Sequence, residues 1–150
     1  MKDRLKVSLK RLERLAELHR TYVAVAEAGV KQAQGEVQRL RAVDHEVAGN
    51  IRHTQAGIAY LKTATGHDLQ RREGYIQALE KQRKLIQLSL QTANSNLEQR
   101  RREWTEAMRE QKIAAKLQER RLHQWEREAD DARQKSQDDA SIARYVRLEK

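Results

Sequence analysis

Four aspartates in two adjacent pairs, Asp130 with Asp131 and Asp138 with Asp139, are the residues most easily taken for a catalytic site. Paired carboxylates perform acid and base chemistry when burial or a neighbour desolvates one of them. These four stand in a strongly polar stretch, so they read as a solvated helix surface. The five histidines, at 19, 45, 53, 67 and 123, never recur at the three- or four-residue spacing that brings two imidazoles to one metal on a helix. The sequence has no G-x-x-x-x-G-K-[ST] loop, no G-x-G-x-x-G and no cysteine, which argues against a nucleotide site, a cofactor site and thiolate chemistry. The reading is therefore of a protein that is not an enzyme and holds neither cofactor nor metal.

Binding chemistry is better represented. Formal net charge is +9, from 31 Lys and Arg against 22 Asp and Glu. Acids and bases interleave as i,i+4 pairs, among them Glu27 with Lys31, Glu80 with Lys84 and Glu98 with Arg102, as on the outside of a long helix. Nucleic-acid binding would need base-stacking aromatics or a groove-entering module beside "EQRRREW". Trp104 and Trp125 both fall in an apolar seam instead, and no nucleic-acid partner is expected. The longest apolar run, "YVAVA", is far short of the roughly 18 residues of a membrane span, so no insertion into a bilayer is expected.

These residues must be carried by helices. The 150-residue sequence has no Pro, no Phe and only six Gly, so little limits helix length and little bulky material is available for a globular core. Steps of four and three select Leu5, Leu9, Leu12, Ala16, His19, Val23, Ala26, Val30, Ala33, Val37, Leu40, Asp44, Val47, Ile51, Thr54, Ile58 and Leu61. A seven-residue repeat sustained this long is the pattern of a left-handed coiled coil. In "KTATGHD", residues 62–68, Gly66 can take the left-handed conformation that ends a helix, and Asp68 can cap the next one.

The repeat resumes at Ile76, Leu79, Arg83, Ile86, Leu90, Ala93, Leu97, Arg100 and Trp104. It then reads as shifted by one residue, through Met108, Gln111, Ala115, Gln118, Leu122, Trp125, Ala129 and Ala132, with a stutter between the two runs. The expectation is an all-α fold, a single antiparallel two-helix coiled-coil hairpin over residues 1–150. Helix 1 covers about 3–62, the turn about 63–68 and helix 2 about 69–148. Facing residue numbers then add to about 130, which sets His19 opposite Gln111 and Asp44 near Arg83. Roughly 20 residues of the longer second helix overhang, about 30 Å.

One stretch has more apolar surface than this pairing uses. In "YIQALEKQRKLIQLSL", residues 75–90, Ile76, Leu79, Ile86 and Leu90 form one stripe, while Ala78, Leu85 and Leu88 fall on another face. Leu85 and Leu88 fit either a partner surface or a broader bundle core.

With "LKRLERLAELHR" opening the first helix, "GYIQALEKQ" just after the turn, "RREWTEAMREQKIAAKLQERR" midway along the second and the tail "WEREADDARQKSQDDASIARY", the sequence resembles the flagellar export stalk family, FliJ. The resemblance runs over nearly the whole chain. It implies a cytoplasmic, peripheral component at the inner-membrane type III export apparatus, acting as the central stalk of the export ATPase complex and coupling ATP hydrolysis to protein export. The end bearing both termini would enter the export ATPase hexamer, where Arg4, Lys6, Arg133, Arg144 and Arg147 are the ring-binding candidates. The hairpin end would reach the cytoplasmic domain of the membrane export gate through Tyr75, Leu79, Gln82 and Ile86, to which the surplus apolar face adds Leu85. Export chaperones would be further partners. Two alternatives are the homologous stalk of a virulence type III secretion system and a structural coiled-coil spacer without an ATPase partner.

Overall fold

The computed structural model describes residues 2–59 and 65–149, with the side chains of Lys2 and Ala59 excepted. Two helices make up the described chain, α1 (Lys2–Ala59) and α2 (Gly66–Leu148). With 58 and 83 residues, both far exceed an ordinary globular helix, as a proline-free sequence laced with i,i+4 pairs permits. Two of those pairs close, Lys31 Nζ to Glu27 at 3.8 Å and Arg102 to Glu98 at 2.8 Å.

The start of α2 differs from the sequence expectation. Gly66 is the first residue of the helix, and no glycine among the described residues has a positive φ, so it is not a left-handed helix stop. The cap is Thr65, not Asp68. The Asp68 amide donates to Thr65 Oγ1 at 3.3 Å, and the Thr65 hydroxyl donates to the Asp68 carboxylate at 3.0 Å. Thr65 thus satisfies an amide that the helix leaves unpaired, while Asp68 adds negative charge to the first turn, where the helix dipole favours it. Residues 60–64, with the rest of the expected turn and the seam position Leu61, lie outside the described residues.

Contacts divide the chain into two compact units, Val25–Trp104 and Met1–Ala24 with Thr105–Lys150. In the first, α1 and α2 pack antiparallel. Arg100 lies 3.5 Å from where a Cβ on Gly29 would stand, Arg83 bonds Asp44 at 3.0 Å, and Arg72 covers Gly57, so each step forward on α1 is a step back on α2. Residue numbers in these pairs add to about 130, the facing sum that the heptad register sets. Val30, Ala33, Val37, Leu40, Ala93 and Leu97 form one core cluster, against which Leu90 and Trp104 pack. Val47, Ile51, Leu79 and Ile86 form another. No described side chain is completely enclosed, the least exposed being Ala33, Val37 and Ala114 at 4%. This is the limit of a core one layer deep. Burying each Val, Leu or Ile contributes about 1.5–3 kcal/mol, so stability accrues along the seam.

In the other unit Leu5, Ala16 and Ala114 are buried. Every described seam position of α1, from Leu5 to Ile58, is buried or half-buried, Asp44 and His19 included. On α2 the seam runs Trp104, Ala107, Gln111, Ala114, Gln118, all half-buried or buried, while Ala115 is exposed. The steps of three and four therefore continue without a stutter. Met108 is half-buried beside Ala107, and its larger side chain drew the sequence register one residue too far. From residue 130 to 149 every residue is exposed, as expected for the part of α2 that outlasts α1.

Candidate functional site

With the seam placed, the residues left over are the ones that can meet a partner. In the first turns of α2, Leu79 and Ile86 retain only 8% and 9% exposure and pack on Val47 and Ile51. They belong to the interhelical core and do not offer their side chains to an outside surface. Tyr75 is 51% exposed, Leu85 66%, and Gln82 is also exposed. Tyr75, Gln82 and Leu85 each stand one residue before a seam position, namely Ile76, Arg83 and Ile86. They form a single stripe, with Ala78 between Tyr75 and Gln82. The sequence grouping of Tyr75 with Leu79 and Ile86 joined two adjacent faces that burial separates.

Leu88 extends this surface. At 59% exposure it lines an open groove with Leu40, Ser89, Thr92, Ala93 and Asn96. Glu36 stands on the α1 wall of the groove, and hydrogen bonds from Arg39 at 2.7 and 3.1 Å lower the pKa of its carboxyl group below the ordinary glutamate value. The early part of α2 therefore displays apolar side chains beside a polar, charged groove wall. Such a mixture suits reversible binding of a protein surface, with the exposed leucines supplying contact area and the polar wall supplying orientation.

The candidate cations for the second surface are all exposed: Arg4 and Lys6 early in α1, and Arg133, Arg144 and Arg147 late in α2. Arg133 pairs with Asp130 at 3.1 Å, and both side chains are more than two-thirds exposed, so the pair contributes little to stability. Asp131, Asp138 and Asp139 are likewise open to solvent. Ile142, Tyr145, Val146 and Leu148 are 61%, 64%, 51% and 86% exposed, a sparse apolar lining on the end of α2. Of the two tryptophans expected in the seam, Trp104 packs on the Val30 to Leu97 cluster, whereas Trp125 is 36% exposed.

No described helix is long and apolar enough to cross a membrane. The structure defines an antiparallel coiled-coil hairpin whose outward-facing apolar and charged residues are suited to protein contacts. The profile of the family described as Flagellar FliJ protein matches residues 8–150, and the chain belongs to that family. The family is one of structural stalk proteins associated with the flagellar export apparatus. No curated protein and no solved structure matches the chain.

Proposed function

We infer that the protein is the central stalk of the flagellar export ATPase complex, entering the ATPase hexamer with the end that bears both termini and meeting the export gate with its hairpin end. The observation that carries this reading is the difference between the helices. α2 has 83 residues against 58 in α1, and residues 130–149 are exposed throughout. A lone helix is about 10–12 Å across with its side chains, thinner than a helix pair, and can enter a narrow ring. Its charges alternate in sign, with Arg133, Lys135, Arg144 and Arg147 among Glu128, Asp130, Asp131, Asp138 and Asp139. Mixed, solvated charge favours a polar contact that can be made and remade as the ring cycles, where a continuous apolar face would lock.

On this reading Tyr75, Gln82 and Leu85, with Leu88 beside them, meet the cytoplasmic domain of the gate, and Leu79 and Ile86 hold that stripe in place from within. Arg4, Lys6, Arg133, Arg144 and Arg147 face the ring. The stalk couples hydrolysis to export mechanically, with nucleotide chemistry belonging to the ATPase. Docking of export chaperones and a position at the cytoplasmic side of the inner membrane are part of the same reading. Pull-downs of the ATPase and of the gate domain, with the full chain and with a chain ending at Ala132, separate the two contacts. The shortened chain retains the gate and loses most of the ATPase; loss of both, or of neither, contradicts the assignment of ends.

A further inference from the structure

The unit formed by Met1–Ala24 and Thr105–Lys150 has an apolar surface that helix pairing does not use. Leu15, Leu18 and Tyr22 are 39%, 46% and 51% exposed, and Ile113 and Leu117 are 54% and 43% exposed. Each stands one residue before a seam position: Leu15 before Ala16, Leu18 before His19, Tyr22 before Val23, Ile113 before Ala114, and Leu117 before Gln118. Antiparallel partners are related by an axis normal to the plane they share, so the same offset on both helices falls on the same side. The groove of the other unit shows this rule, because Glu36, Ser89, Thr92 and Asn96, each just before a seam position, line it together. The five residues accordingly make one apolar flank. The Tyr22 ring is held within it, edge-on to His19 with ring centres 6.1 Å apart.

Beyond these five residues, toward the termini, charge on this flank has one sign, whereas alongside them the same offset on α2 holds Glu110 and Glu106, the latter paired with Arg109 at 3.7 Å. Continuing the steps of three and four toward the termini, Arg11 follows on α1, and Arg120 and Arg127 follow on α2. All three are exposed, and among the described residues none of them is in an ion pair. The nearby acids Glu13, Glu17, Glu119 and Glu126 stand one residue after seam positions, on the opposite flank. We propose that the Leu15–Leu117 flank binds an amphipathic α-helix of another protein, one whose apolar stripe runs on into carboxylates. Apolar residues at three-four spacing on two adjacent helices form a groove that accepts a third helix, and unpaired guanidinium groups select carboxylates through paired hydrogen bonds. A nucleic acid fits less well, because Tyr22 is the one aromatic among these five and the aliphatic side chains would gain nothing by base stacking. A second copy fits less well too, because each chain carries a net charge of +9 and the two would repel.

This surface does not rest on the stalk reading, and its test uses no export component. The full chain is titrated, by fluorescence anisotropy, into a labelled helical peptide with Leu at three-four spacing over two turns and Glu over the next two. A second peptide carries Lys at each Glu. The Glu peptide binds at least about tenfold more tightly than the Lys peptide, as expected where complementary charge sets partner choice. Replacing Arg120→Glu together with Arg127→Glu abolishes that preference, and Leu117→Ser weakens both peptides, with far-UV circular dichroism unchanged. Equal binding of the two peptides, or indifference to these substitutions, overturns the proposal. So does tighter binding of a short DNA duplex, or sedimentation equilibrium showing a dimer that Leu15→Ser dissociates, which would assign the flank to a second copy.

Discussion

Ile86 and Leu85 are neighbours in sequence and opposites in environment, so replacing each by Ala tests the placement of the seam directly. Ile86 is 9% exposed and packs in the cluster with Val47, Ile51 and Leu79, whereas Leu85 is 66% exposed. Ile86→Ala removes about three methylene equivalents at about 0.8 kcal/mol each. The small remaining exposure and the better helix propensity of Ala bring the cost to about 2 kcal/mol. Because the core is one layer deep and open at its sides, solvent reaches the space left behind, which keeps the cavity contribution small. Leu85→Ala removes a similar volume from the surface and changes stability by less than about 0.5 kcal/mol. Urea unfolding followed by circular dichroism at 222 nm measures both. With a slope of about 2 kcal/mol per molar, Ile86→Ala lowers the midpoint by about 1 M and Leu85→Ala leaves it nearly unmoved. Equal shifts would place Leu85 in the core and remove the outward stripe on which the gate contact depends.

The other substitutions probe local claims. Thr65→Ala removes the cap of α2 and costs about 1 kcal/mol, read as faster amide exchange in the first turn of that helix. Gly49→Ala introduces a Cβ with nothing within 4 Å and raises stability by up to about 1 kcal/mol. Gly57→Ala gains less, since its Cβ would stand 2.8 Å from the flexible end of Arg72, which must move aside. Asp44→Arg opposes Arg83 in a half-buried layer and destabilises, and adding Arg83→Asp restores most of the loss. The coupling in that double-mutant cycle is about 1 kcal/mol or less, given that the Arg83 side chain is 42% exposed.

The seam of α1 was legible because seven-residue periodicity is a cumulative signal. The occasional polar member, such as Asp44 or His19, does not break it, and the structure half-buries both. Register in the middle of α2 was harder for a definite reason. Ala107 with Met108 and Ala114 with Ala115 offer two adjacent apolar choices, and hydrophobicity alone prefers Met although Ala107 and Ala114 keep the spacing. The face of Leu79 and Ile86 against that of Tyr75 and Leu85 posed a similar difficulty, since residues one position apart differ by only about 100° around a helix. Deciding between such faces requires knowing where α1 lies. The cap was ambiguous as well. Thr65, Gly66 and Asp68 each have chemistry suited to a helix end, and the backbone conformation of Gly66 settles the choice for Thr65. The Leu15, Leu18, Tyr22, Ile113 and Leu117 flank follows the same offset rule as the stripe near the turn, yet it emerges only once both helices are set side by side.

Steady-state ATP hydrolysis by the export ATPase hexamer, measured with the full chain and with a chain ending at Ala132, tests the stalk function most directly. The shortened chain retains the buried seam, whose last tightly buried α2 residue is Ala114. It keeps its helicity and loses most of the stimulation given by the full chain. Undiminished stimulation by the shortened chain, at equal helicity, would contradict insertion of the exposed end of α2 into the ring.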